Sequence, residues 1–273
     1  MKLPSVTTVF PAYNDAGTIP SMVICAMRTL PLITDDYEVV VVNDGSRDHT
    51  AEVLDELARL YPRHLRVIHH PQNRGYGGAL RTGFMAAEKE WVFYTDGDAQ
   101  YDAREMTRLA DAWSAEVEAG RSVQVVNGYK ISRSDPAYRT VIGRVYHHVV
   151  RLMFGFKLRD VDCDFRLIQR ELFSKVQLES RSGTICLEMV KKFQDLGCRF
   201  VEVPVNHYHR AYGRSQFFNF RRVWRTGVDV LWLWMKLVVR KEHLQMASPS
   251  LTSAIGADSP TPAAAKDMGA REI

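Results

Sequence analysis

Through its first half the chain alternates two kinds of pattern. Short runs rich in β-branched and aromatic residues fall at 6–10, 38–43, 65–69, 91–95 and 123–128, and segments of helical period lie between them at 18–30, 50–61, 77–88 and 103–119. A strand that is apolar on nearly every residue must be covered on both faces. Helices between consecutive strands supply that cover and carry the chain back for parallel pairing. The expected fold is therefore α/β, a mainly parallel sheet flanked by helices. In such a sheet ligands bind beyond the carboxyl ends of the strands. Polar clusters fall at four of those ends: PAYND, NDGSRD, PQNRGYGG and TDGDAQ. Helix capping explains one or two of them, so four on one edge predict a shared binding site.

Composition narrows the class of protein. At 273 residues, 46% hydrophobic and 25% charged, the chain can bury one substantial core or two modest ones. Cys25, Cys163, Cys186 and Cys198 make no CxxC pair and have no histidines at zinc-finger spacing, so reduced, buried thiols are expected. Pro4 and Pro11 interrupt the N-terminal run short of a signal peptide, and no run of about 18 apolar residues offers a membrane span. A cytoplasmic protein is expected. The net charge of +4 hides an asymmetry, because residues 199–242 hold nine Lys or Arg against Glu202, Asp229 and Glu242. An anionic partner is expected at that end, and nucleic acid is not.

TDGDAQ carries the chemistry. Asp96 and Asp98, two apart around Gly97, can aim carboxylates at one point once the strand has ended, and Gln100 adds a neutral oxygen. Hard oxygen ligands of this kind suit Mg²⁺ or Mn²⁺ bridging the phosphates of a nucleotide diphosphate. Asp102 is better read as the cap of the next helix. For the nucleoside, Tyr13 offers a ring, while Asp15 and Asp44 can accept hydrogen bonds from ribose or base. NRGYGG, with Asn73 and Gly75, lets the backbone pass close to the nucleotide. A dehydrogenase fingerprint fails there, because Leu80 occupies the third glycine position.

VFPAYND, VVVNDGSRDHT, NRGYGGALRTGF, YTDGDAQYD, DVDCDFRLIQR and EVPVNHYHRAYGRSQFF occur in the order and spacing of a known family. Over roughly residues 3–225 the chain resembles the family-2 glycosyltransferases with the GT-A fold, in their polyprenyl-phosphate (dolichol-phosphate mannose synthase-like) branch. The resemblance implies inverting transfer of a sugar from a nucleotide-diphospho-sugar to a polyprenyl phosphate at the inner face of a membrane. It also implies roles for particular residues. Pro11, Tyr13, Asp15, Asp44, Asn73, Gly75 and Asp96 would bind the donor, and Asp96, Asp98 and Gln100 the metal. Asp98 and Arg210 would be catalytic. Lys130, Arg133, Arg139, Arg210 and Ser215 would meet the acceptor phosphate. The chain departs from the family at Asp15 (usually Glu), at Asn43 (usually Asp), at Gly143 (often Ser) and in DVDCDFR, which replaces D-x-T-S-G-F-R.

A phosphate acceptor is already anionic and requires no base. Relatives that use hydroxyl acceptors usually carry an E-D pair where this chain reads Glu188-Met189, and processive relatives carry a Q-x-x-R-W string that is absent here. Transfer to a hydroxyl, with Glu188 or another acid as base, is the alternative reading. A non-catalytic nucleotide-sugar-binding protein is another. His207 and His209 lack a carboxylate or Cys partner at close spacing for a metal site, and His209, next to Arg210, reads as a substrate contact instead. Domains are expected at 1–216 for the transferase, 217–245 for an amphipathic helical segment and 246–273 for a disordered Ala/Ser/Pro-rich tail. In the middle segment Arg222, Arg225, Asp229, Lys236 and Arg240 form one stripe beside a wide apolar arc with three tryptophans. That pattern fits a helix lying peripherally on a membrane, and equally one docked on the protein's own core or on a second subunit of a homo-oligomer.

Overall fold

The five runs and two further segments become strands: β1 (Val6–Ala12), β2 (Tyr37–Asn43), β3 (Leu65–His69), β4 (Trp91–Thr95), β5 (Val125–Lys130), β6 (Phe165–Gln169) and β7 (Phe200–Val205). The computed structural model describes residues 1–131, 137–209 and 220–246, with backbone alone at 137–145, 220–223 and 245–246. The strands form one sheet in the order β3-β2-β1-β4-β6-β5-β7. β3, β2, β1 and β4 pair in parallel, as do β5 and β7, while β6 runs antiparallel between β4 and β5. That reversal brings the start of β6, rather than its end, to the edge where the other six strands finish.

The helices are α1 (Ile19–Ile33), α2 (Thr50–Leu60), α3 (Tyr76–Ala86), α4 (Met106–Glu118), α5 (Ala137–Phe154), α6 (Leu172–Lys175), α7 (Thr184–Asp195), α8 (Phe220–Trp234) and α9 (Glu242–Met246). Alternation along the central strands feeds two cores. Val6 and Phe10 of β1 meet α1, α2 and α4 on one face, whereas Val9 meets α3 and α7 on the other. β1 is buried at every residue, as a strand covered on both faces must be.

A third core lies beside the sheet. Leu187 and Val190, on the outer side of α7, pack with Val150 and Phe154 of α5 and with Val230, Leu233 and Leu237 at the C-terminal end of the chain. α8 is therefore docked on the protein's own core along one side, and the Trp234 indole donates to the Met153 carbonyl at 2.8 Å. Its opposite side stays exposed and apolar, with Trp224, Val228, Leu231 and Trp232 more than half exposed. Of the charged stripe, Asp229 and Lys236 turn inward to side chains of the 179–182 segment. Arg225 and Arg240 face solvent. After a π-helical turn at Met235–Val239, Lys241 takes a left-handed φ of 52° and the chain breaks before α9.

Candidate active site

The carboxyl edge gathers the acids that the motifs separate by up to 150 residues. Asp15 follows β1, Asp96 and Asp98 follow β4, and Asp164 precedes β6, whose Phe165 pairs with Thr95. Burial holds the Asp96 carboxyl well above the usual range, and the charges of Asp164, Asp98 and Asp15 add to the effect. The Tyr76 hydroxyl opposes it by donating to Asp96 at 2.7 Å. Asp98 is buried, and its Oδ1 accepts from the Gln100 amide nitrogen at 3.0 Å. A carboxylate set among other acids, as Asp96 is, gains from a cation placed between them.

Among the described residues no three His, Cys, Asp or Glu side chains converge as a closed metal cage. The donor set nonetheless fits Mg²⁺ or Mn²⁺, since such ions take one or two carboxylates and complete their shell with water and substrate phosphate. Gln100 ties this turn to the segment after β7: its Nε2 donates to the Tyr208 carbonyl at 3.2 Å, and Tyr208 N donates to the Gln100 carbonyl at 2.8 Å. Ala99 between them has a left-handed φ of 59°, a conformation that a non-glycine residue holds only when its surroundings dictate it. Asp102 caps the turn into α4 as expected, accepting from Arg104 N at 2.9 Å.

Beside the acids a polar pocket of about 640 Å³ is lined by Tyr13, Asn43, Ser46, Asp55, His69 and Asn73, among others. Its volume suits a nucleoside. Pro11 lies in β1, opposite Val42 of β2. Asp15 shapes the rim through Oδ2, which accepts from Tyr13 N at 2.9 Å. Asp44 takes another place than the ribose or base contact expected of it. It is buried behind the pocket, where Oδ1 accepts from Arg74 N at 2.8 Å and Oδ2 from Gly75 N at 2.9 Å, with His70 Nδ1 2.6 Å from Oδ1. His70 in turn meets Thr82 of α3 at 2.9 Å. The acid holds the shape of the NRGYGG loop, and the HHP string before that loop was the unread signal for its partner.

DVDCDFR folds into the site. Arg166 of β6 is wholly buried and donates to Asn127 Oδ1 at 2.5 Å, to the Tyr94 hydroxyl and to the Val161 carbonyl. The Cys186 thiol donates to Asp164 at 2.8 Å. Lys130, expected at the acceptor phosphate, is instead almost enclosed by this loop: its amine donates to the Asp162 carbonyl at 2.8 Å and lies 3.7 Å from Asp160 Oδ2. A cation so engaged neutralises the loop's own acids. Burial and the charges of Asp160 and Asp164, against the opposing pull of Lys130, push the Asp162 carboxyl up to about 6.

Glu188 is fully buried, and its carboxylate accepts from Glu179 N at 3.0 Å, from Ser180 N at 2.8 Å and from the Lys192 amine at 2.7 Å. It anchors the segment before α7, with both carboxylate oxygens engaged by these donors. His207 packs edge-on against Tyr101 at 5.0 Å. Arg133, Arg210 and Ser215 lie outside the described residues, as does the side chain of Arg139.

The fold with its acid-bearing edge defines a class, the GT-A nucleotide-diphospho-sugar transferase architecture. Glucosyl-3-phosphoglycerate synthase from Mycobacterium tuberculosis superposes with a TM-score of 0.62 over 85% of this chain and 79% of its own, at 19% identity. Residues 7–177, more than half of the chain, match the family described as Glycosyl transferase family 2, and the chain belongs to it. Glycosyltransferase AglD of Haloferax volcanii is 33% identical over 240 residues, 86% of this chain and 38% of AglD. Undecaprenyl-phosphate 4-deoxy-4-formamido-L-arabinose transferase of Proteus mirabilis is 27% identical over 217 residues, 79% of this chain and 64% of that enzyme. The chain thus spans less than two thirds of either relative.

Proposed function

We propose that this protein transfers a sugar from a nucleotide-diphospho-sugar to a polyprenyl phosphate at the cytoplasmic face of a membrane, with inversion. The observation that carries the reading is the gathering of Asp15, Asp98 and Asp164 around Asp96, whose carboxyl is raised by burial and by their charges, beside a nucleoside-sized pocket. The Proteus mirabilis relative is an undecaprenyl-phosphate sugar transferase, which supports the acceptor class.

In this reading Asp96, Asp98 and Gln100 hold Mg²⁺ or Mn²⁺, which neutralises charge on the departing nucleoside diphosphate. Tyr13 and Asn73 receive the nucleoside, and Asp44 and His70 keep the glycine loop in shape beneath the phosphates. Arg210 offsets the negative charge of the leaving group, while Arg133, Arg139 and Ser215 orient the acceptor. The acceptor phosphate is anionic at neutral pH and attacks without losing a proton, which agrees with Glu188 being tied to backbone amides. Membrane contact falls to the exposed apolar side of α8, where Trp224 and Trp232 are flanked by Arg225 and Arg240. Tryptophan with a cationic border suits the headgroup region. Among the described residues no helix is long and apolar enough to cross a membrane.

A second reading, transfer to a hydroxyl, is favoured by Asp162, whose carboxyl at about 6 is poised for a general base. A donor screen with Mn²⁺ and either polyprenyl phosphate or the free polyprenol distinguishes the two. Release of nucleoside diphosphate with the phosphate acceptor alone is expected, and Asp98→Ala should lower turnover by about 100-fold or more. Turnover with the alcohol alone, abolished by Asp162→Asn, would establish the second reading in place of the first.

A further inference from the structure

Residues 178–182 form a strap before α7 that touches three parts of the molecule. On the sheet side, Glu188 and Lys192 hold it through the amides of Glu179 and Ser180 and the carbonyl of Gln177. Toward the donor loop, Gly77 N donates to the Arg181 carbonyl at 2.9 Å. Arg81 of α3 donates to the Glu179 carbonyl at 2.9 Å. The contact is close enough to demand glycine: a Cβ on Gly75, at φ 83°, would lie 2.5 Å from the Arg181 oxygen, and one on Gly77 would strike the Ser180 carbonyl. Toward α8 and its extension, Lys236 pairs with Glu179, and the Ser182 hydroxyl donates to Asp229 at 3.1 Å. The same Lys236 amine sits 5.2 Å from the ring of Trp232 on the exposed side of α8.

One short segment therefore lies between the tryptophan-bearing helix and the first turn of α3, whose Tyr76 hydroxyl touches Asp96. We infer that the strap couples the two: seating α8 on an anionic bilayer surface secures the strap over Gly75 and Gly77 and so favours the donor-binding form of the loop. The inference rests on the reading that α8 faces the membrane. Glu179, Asp229 and Lys236 act as positioning residues, since they reach the donor site only through the strap. Coupling between two sites is reciprocal, so donor binding should likewise strengthen membrane attachment. The physical basis is a part-buried ion pair and a hydrogen bond that exist only while helix and strap keep their relative places.

The test is amide hydrogen exchange on the full chain with and without vesicles of phosphatidylcholine and phosphatidylglycerol, with vesicle binding followed by co-sedimentation. Vesicles should slow exchange at Gly77, Glu179 and Ser180 by roughly fivefold or more, the lower end of ordinary coupling between sites. Lys236→Glu and Glu179→Lys should each abolish that slowing while still binding vesicles, and the charge-swapped double variant should restore it. Amides of β1 and β4 serve as the control for folding, and Lys236→Met removes the pair without reversing charge. Vesicle binding that leaves the three amides unchanged, or slowing that persists in Lys236→Met, overturns the coupling alone. Absence of vesicle binding by the unaltered chain overturns the membrane reading of α8 and the coupling with it.

Discussion

Asp162 is a carboxylate whose surroundings work against its charge. It keeps partial contact with solvent, yet burial and the neighbouring acids Asp160 and Asp164 push its carboxyl up to about 6, with Lys130 opposing. A carboxyl raised on folding holds a proton that the unfolded chain has already released, so stability falls as pH rises from about 4 to about 6 and then levels. Asp162→Asn removes the penalty and leaves the Lys130 bond in place, because that bond goes to the Asp162 backbone carbonyl. The variant should exceed the unaltered protein by about 1–2 kcal/mol above pH 6, at ~1.4 kcal/mol per unit discounted for exposure, and match it below pH 4. Urea unfolding at pH 4 and pH 7.5 measures the difference; a gap of equal size at both values would mean that charge is not the cause. At this scale the motifs disclosed which residues gather better than what each one does. Asp96, Asp98 and Asp102 sit where spacing after a buried strand puts them. Asp44 was expected to face substrate, and Glu188 was the base of the alternative reading, because their backbone-amide partners, Arg74, Gly75, Glu179 and Ser180, carry no pattern in the sequence.

Among the elements, β6 was the strand that the pattern concealed. Five of the other six fall on the short runs read from the sequence, whereas β6 lies in DVDCDFR and carries Arg166 inside the sheet, between β4 and β5, where a charge argues against a central strand. The structure resolves the conflict by giving the guanidinium three acceptors inside the sheet. Arg166→Met would keep the volume, take the guanidinium donor from Asn127 Oδ1 and the Val161 carbonyl, and leave the Tyr94 hydroxyl only its long contacts to Asp164 and Cys186. It would also withdraw the positive charge that offsets Asp162 and lies close to Asp164. The expected loss is roughly 3–5 kcal/mol at pH 8, the range for removing one member of a buried polar set. The loss should shrink toward pH 5, where Asp162 is protonated, because only the ionised acid benefits from the arginine. Chemical denaturation at the two pH values reads both the size and the sign, and a pH-independent loss would assign the effect to packing alone.

For the molecule as a whole, the question is what α8 belongs to. Its sequence offered a wide apolar arc, and periodicity could not divide that arc between two neighbours. The structure divides it: Val230, Leu233 and Leu237 complete the third core with α5 and α7, while Trp224, Val228, Leu231 and Trp232 remain outside. A boundary near residue 216 therefore cuts through packing, and a chain ended there exposes Val150, Phe154, Leu187 and Val190. Burying such side chains is worth about 1.5–3 kcal/mol each, so the shortened chain should unfold at a lower urea midpoint whether or not a membrane is present. Loss of vesicle binding by that chain would then report damage as readily as a missing anchor. Substitution on the exposed side separates the two effects. Trp224→Ser with Trp232→Ser should leave the urea midpoint nearly unchanged, since both rings are largely exposed, and should weaken flotation with anionic vesicles by about 10-fold or more, as two interfacial tryptophans contribute at least ~1.4 kcal/mol together. If the double variant floats as well as the unaltered protein, the exposed tryptophans have another partner, and a second copy of the chain becomes the occupant to test by sedimentation.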